Sequence, residues 1–239
     1  MSAFPTYKNH LLARLGEGDL ALLRPHLEPL DMPLGMVLIE PSEPITHAYF
    51  PEVGLCSVVA VTQGENQIEI GLVGRDGFAG VVLALGVDRI PHQVFMQVSG
   101  RGHRIRAEAL TLAMEASASL RRLLLLYTQS FLVQVSQTAL ANARAPAEER
   151  LARWLVMYHD RQDGDDLSIT HEFLSIMLGV RRPTVTVALQ MLEGAGLIRA
   201  RRGRVVILNR AGLVAAAGGA YGPAEAEYER LIGALRRFA

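Results

Sequence analysis

Apolar and polar positions change their period twice along the 239-residue chain. Residues 11–28 set Leu11, Leu12, Leu15, Leu20, Leu22 and Leu23 at helical spacing, interrupted by Gly16 and Gly18. From about 30 to 108 the pattern shortens to β-like runs: MVLIE (36–40), HAYF (47–50), CSVVAVT (56–62), QIEIGLVG (67–74), QVFMQVSG (93–100) and GHRIRA (102–107). Segments containing Pro, Gly or Asn separate these runs. Short strands at regular spacing with turn signals predict a β-sandwich or barrel-like domain.

Between about 108 and 143 the period becomes helical, with two stripes. One runs Leu120, Leu124, Tyr127, Phe131, Gln134, Thr138 and Ala141 in alternating steps of four and three; the other runs Leu123, Leu126, Ser130, Val133, Gln137 and Leu140. Two stripes mean a helix covered on two sides. Either both sides lie inside one monomer, or one packs on the β domain and the other on a second copy, as in a parallel coiled coil. The dimer is the stronger expectation, with Leu120, Leu124, Tyr127, Phe131, Gln134 and Thr138 as its candidate seam.

A new unit starts at ARAPAEERLARWLVMYHDR, where Pro146 suits a first helical turn and Glu148 and Glu149 favour a helix N-terminus. QDGDD (162–166) reads as a solvated turn, since the spacing of a calcium loop is missing. Thr170 is a plausible N-cap for a helix carrying Phe173, Leu174, Met177 and Leu178, which Gly179 stops. A second helix starts near Arg182–Pro183, buries Val185, Leu189 and Leu192, and ends around Gly194–Gly196. LIRARRGRVVIL then reads as a β-hairpin turning at Arg202–Gly203. Helix, tight turn, helix and basic hairpin together describe a winged helix-turn-helix. Residues 223–239 set Tyr228, Leu231, Ile232 and Leu235 at helical spacing, a short terminal helix expected to dock on a neighbouring surface.

Charge sharpens this picture. The chain is neutral overall, with 24 basic and 24 acidic residues. Yet 173–210 holds seven arginines against one acid, Glu193, a net of +6 and a local anion-facing surface. On the second helix Arg181, Arg182, Thr184, Thr186, Val187 and Gln190 surround the apolar face, mostly in the first two turns. Those turns reach base edges in a major groove, where Arg forks onto guanine, Gln onto adenine, and methyl groups meet thymine. Arg201, Arg202 and Arg204 on the hairpin would add salt-dependent attraction to phosphates.

Other chemistry finds little support. Cys56 is the single cysteine, so a disulfide framework, a Cys-ligated zinc and a cysteine-held cluster are excluded, and its place in an alternating run suggests core packing. No Walker loop, GxGxxG, GxSxG or HExxH occurs, which argues against an enzyme. Glu69 and Asp76 read as solvated carboxylates, and GRDG (74–77) as a turn. No cofactor and no metal are expected, although His47, His92 and His103 are formally available as haem ligands. No run approaches the roughly 20 apolar residues of a membrane span, and the N-terminus lacks a signal-peptide stretch, so a cytoplasmic protein is expected.

The stretch ITHEFLSIMLGVRRPTVTVALQMLEGAGLI resembles the Crp/Fnr family of bacterial transcription regulators in its helix, Leu-Gly turn, Arg-x-Thr-Val, Leu-x-x-Leu-Glu and Gly-Leu-Ile. Arg182, Thr184, Val185, Leu189, Leu192 and Glu193 fall on matching positions. The resemblance implies an α+β protein in four parts. These are a cyclic-nucleotide-binding-like β-barrel or jelly-roll sensor (1–110), a dimerisation helix (111–145), a winged helix-turn-helix (146–222) and a C-terminal helix (223–239). It implies a homodimer reading an inverted repeat in double-stranded DNA, controlled by an effector, with RNA polymerase open as a further partner.

Well-known members carry Glu and Arg where this chain has Pro183 and Val187, so their operator does not transfer, and a scaffold with a degenerate DNA-binding domain is the alternative. Cyclic-nucleotide binders in the family hold phosphate with a Gly-Glu pair and an Arg followed by Ser or Thr. Here 74–93 has Phe78 after Gly77, and Arg89 lacks that neighbour, so cyclic AMP is not the expected ligand.

Overall fold

A computed structural model describes residues 7–61 and 67–234. Two short helices, α1 (His10–Arg14) and α2 (Glu17–Leu23), lead into five strands: β1 (Glu28–Met32), β2 (Val37–Ile39), β3 (His47–Val61), β4 (Gln67–Val73) and β5 (Gln93–Arg106). They form one antiparallel sheet in the order β1-β5-β3-β4, with β2 also on β5. Beyond it come α3 (Ala107–Ala116), the long α4 (Ala118–Arg144) and α5 (Ala147–Asp160). The rest is β6 (Asp166–Ser168), α6 (His171–Leu178), α7 (Arg182–Gly194), β7 (Ile198–Arg201), β8 (Arg204–Ile207), α8 (Arg210–Ala216) and α9 (Pro223–Leu231).

The sheet differs from the sequence expectation in strand count and length. HAYF and CSVVAVT belong to one strand, β3, and QVFMQVSG and GHRIRA to another, β5. The apparent breaks are bulges: the β3–β5 register shifts between Pro51 and Val53, between Val53 and Leu55, and again before Cys56. Gly54 sits there at φ 92°, and a Cβ on it would fall 2.7 Å from the Val98 carbonyl oxygen. Such a bulge bends a strand without ending it. β1, edged by Pro29, carries no alternation that would mark it in the sequence.

The sheet separates two cores. Cys56, Val58 and Val73 join the cluster formed with α1, α2, α3 and α4. Their neighbours Leu55 and Leu72 point the other way, into the cluster formed by α5, α6, α7 and the second sheet. A strand buried on both faces reads as a continuous apolar run, which explains the weak alternation of this stretch. The helical segment also breaks once, at Ser117, whose extended backbone and hydroxyl cap α4 by accepting from the Leu120 amide at 3.1 Å.

The candidate dimer seam requires correction. Leu120, Leu124, Tyr127, Phe131 and Gln134 are buried within the protomer, and Thr138 is half-buried. The first four pack into the core of the β domain, and Gln134 accepts the Leu72 amide at 2.7 Å. Side chains already covered by their own sheet cannot form the surface that a second copy meets. The exposed face of α4 carries Leu125, Leu132 and Leu140 instead. α9 lies against α4, with Tyr228 edge-on to Tyr127 at 6.5 Å, while Leu235 of the expected terminal stripe is outside the described residues.

Candidate nucleic-acid interface and sensor cavity

Local chemistry sets the helix-turn-helix. Thr170 caps α6 by accepting from the Phe173 amide at 3.3 Å. Gly179 ends that helix at φ 59°, left-handed backbone that favours glycine. α7 starts from extended Arg181, with Pro183 in the first turn where its missing donor costs nothing. Val185, Ala188, Leu189 and Leu192 turn inward and seat the helix on α5 and α6. Arg181, Arg182, Thr184, Val187 and Gln190 are exposed and Thr186 is half-buried, so one outward surface gathers all six candidates.

The wing stands beside that surface. β7 and β8 pair through Ile198↔Ile207 to Arg201↔Arg204, and β6 adds to β8 as a third strand. Arg201, Arg202 and Arg204 are all exposed. Glu193, near the end of α7, accepts the Ala200 amide at 3.0 Å and so ties helix to wing. Arg182 meets Glu172 at 3.2 Å and Arg204 meets Asp166 at 3.0 Å. Exposed pairs of this kind contribute little, so a phosphate can displace them at small cost.

Two buried contacts between the β domain and α5 were not legible in the sequence. Asp76 and Glu69, expected to be solvated, are buried. GRDG does form a turn, with the Gly77 amide on the Gly74 carbonyl, but its side chains dock rather than face water. Arg161 at the end of α5 forks onto Asp76 at 2.7 and 3.1 Å, and Arg75 donates to the Arg161 carbonyl at 2.9 Å. Burial opposes the charge on Arg161, but the facing carboxylate outweighs it and raises its pKa. In the solvent-side turn 162–166, Asp163 accepts from Arg75 at 2.6 Å.

At the second contact the indole of Trp154 donates to Glu69 Oε1 at 2.8 Å. The Ser57 hydroxyl lies 2.6 Å from Glu69 Oε2 and 2.5 Å from Gln97 Oε1. One hydroxyl proton cannot serve two acceptors, so Ser57 donates to Glu69 while the Gln97 amide turns its otherwise unpartnered nitrogen towards the Ser57 oxygen. Burial pushes Glu69 up to about 8, against the opposing hydrogen bonds from Ser57 and Trp154. A carboxyl with a raised folded pKa loses stability as pH climbs from its ordinary value near 4.5 towards 8. Melting measured across that window should show falling stability, and Glu69→Gln should remove most of the slope.

The β domain also holds a cavity of about 210 Å³ between the sheet, the 3₁₀ turn Val81–Leu85 and α4. Val58, Val73, Phe78 and Phe131 are among its walls, and His92 is its one ionisable lining group. Burial lowers the pKa of His92. Arg89 is not among the walls; it is exposed and faces Asp88 at 3.7 Å. His47 contacts Thr46 at 2.9 Å, and His103 sits edge-on to Tyr7 at 5.2 Å, so neither lines the cavity. Cys56 is buried beside Met96, and burial pushes its thiol up. Among the described residues no cluster of metal-ligating side chains occurs, and no helix is long and apolar enough to cross a membrane.

Residues 149–216 match the Crp-like helix-turn-helix domain. No curated protein sequence matches the chain. Among solved structures, FixK2 from Bradyrhizobium japonicum aligns at a TM-score of 0.70 and 16% identity, covering 79% of this chain and 96% of that one. A CRP-family transcriptional regulator from Thermus thermophilus aligns at 0.65 and 18% identity, covering 82% and 98%. CLP from Xanthomonas campestris, described as a c-di-GMP-responsive global regulator, aligns at 0.60 and 20% identity, covering 80% and 99%. At these identities the likeness carries the fold. It defines a winged helix-turn-helix protein with an N-terminal antiparallel β domain and a long connecting helix. Within that class, residues 149–216 match the Crp-like helix-turn-helix.

Proposed function

We propose that the chain is a homodimeric, sequence-specific DNA-binding transcription regulator whose β domain senses a ligand other than cyclic AMP. The observation that carries this reading is the outward face of α7. Arg181, Arg182, Thr184, Val187 and Gln190 are exposed there over a buried Val185–Leu189–Leu192 underside, beside three exposed wing arginines. Guanidinium and amide groups there suit base edges, and the wing suits phosphates. The exposed Leu125, Leu132 and Leu140 make α4 the seam for a second copy, which would set two recognition helices about 34 Å apart. The apolar cavity supports the exclusion of cyclic AMP, since a buried phosphate without a cationic partner is costly.

Mobility shifts with upstream genomic fragments test the reading. Binding should weaken steeply with salt. Replacing Arg201, Arg202 and Arg204 together with Ala should lower the salt slope by about one for each lost phosphate contact. Arg182→Ala should cost about 1–3 kcal/mol on the preferred site and relax its specificity. Undetectable or salt-insensitive binding, with and without small molecules from a lysate, would contradict the reading.

A further inference from the structure

The segment 74–93 was expected to differ from a phosphate cradle, and the structure shows what replaces that cradle. Gly80, Val81, Val82 and Leu85 form one wall of the cavity, Ile90 and Pro91 another. Opposite them, α4 presents Thr128, Phe131, Leu132 and Val135. The Thr128 hydroxyl is already donated to the Leu124 carbonyl at 2.9 Å, so it offers a ligand no free proton. No arginine, lysine or carboxylate lines the space, which leaves His92 as its one ionisable side chain and the Thr128 oxygen as an acceptor only.

Size narrows the occupant further. An apolar cavity of about 150 Å³ stays dry and takes up benzene. The space here is about 210 Å³, enough for a ring with a short substituent. A nucleotide would bring a phosphate and a ribose into walls that hold no arginine or lysine and too few polar groups to satisfy them.

We propose that this cavity binds a neutral, mostly hydrocarbon small molecule of about the size of a substituted benzene, with at most one polar group, directed at His92. Leu132 lines the cavity and is also 53% exposed on the outer face of α4. A ligand would therefore repack the inner side of the helix whose outer side is the proposed dimer seam. Binding itself is independent of the DNA-binding reading; its regulatory consequence rests on that reading.

Calorimetric titration of the full chain with 4-ethylphenol, ethylbenzene and cyclic AMP tests the proposal, with operator binding followed in parallel. One-to-one saturation by both aromatic probes at micromolar to submillimolar concentration is expected, with a negative heat-capacity change. Cyclic AMP should show none. Val135→Trp and Ile70→Phe, both at half-buried wall positions, should each weaken the probes at least tenfold. No saturation of the unaltered chain by either probe to millimolar concentration overturns the proposal. So does binding unchanged in both folded variants, or tighter binding of cyclic AMP. Probe binding without any operator shift would count against the regulator reading alone, and an operator shift without probe binding against the ligand proposal alone.

Discussion

Asp76→Ala should destabilise the folded protein by about 3–5 kcal/mol, because it strands a buried guanidinium. Arg161 has a side chain only 5% exposed, and two of its nitrogens end on Asp76 at 2.7 and 3.1 Å. The third donates to the Met157 carbonyl at 2.8 Å and cannot take over both lost bonds. Asp76 also accepts the Gly74 amide at 2.9 Å, so the turn carrying it would loosen. Urea unfolding checks the value. Asp76→Leu combined with Arg161→Met should recover much of the loss, since removing both charges leaves nothing unpaired. A single variant within 1 kcal/mol of the parent would mean that water or another anion reaches Arg161.

The second large effect separates the two faces of α4. Leu124 is 1% exposed and packs into the core of the β domain, so Leu124→Ala should cost about 2–5 kcal/mol through lost burial and the cavity left behind. Leu140→Asp lies on the outer face, away from the cavity, and should leave each protomer folded while shifting the oligomer to monomer. Thermal unfolding and analytical ultracentrifugation on both variants check the pair. If Leu124→Ala dissociated a fully stable protein, the original seam along Leu120, Leu124, Tyr127 and Phe131 would stand and the correction would fail.

The helix-turn-helix was legible because its signals are local. Thr170, Gly179 and Pro183 each act within a few residues of their own backbone, and Val185, Leu189 and Leu192 share a face by period alone. The β domain was legible as a class, but Gly54 and Pro51 looked like strand ends. Only the pairing with β5, some forty residues away, makes them bulges. The two stripes of α4 are similarly apolar, and which one the sheet covers depends on packing that no helical period encodes. Glu69 and Asp76 were misjudged for the same reason. A carboxylate's burial depends on partners such as Trp154 and Arg161, 85 residues further along the chain.

The dimer account adds a geometric demand to simple affinity. If two copies join along the outer face of α4, the protected DNA should carry two-fold symmetry, with major-groove contacts one helical turn apart. A footprint on genomic fragments measures this directly. The account predicts paired protections centred about 34 Å apart, both lost together in Arg182→Ala. A single unsymmetrical protection, or one indifferent to Arg182, would contradict it.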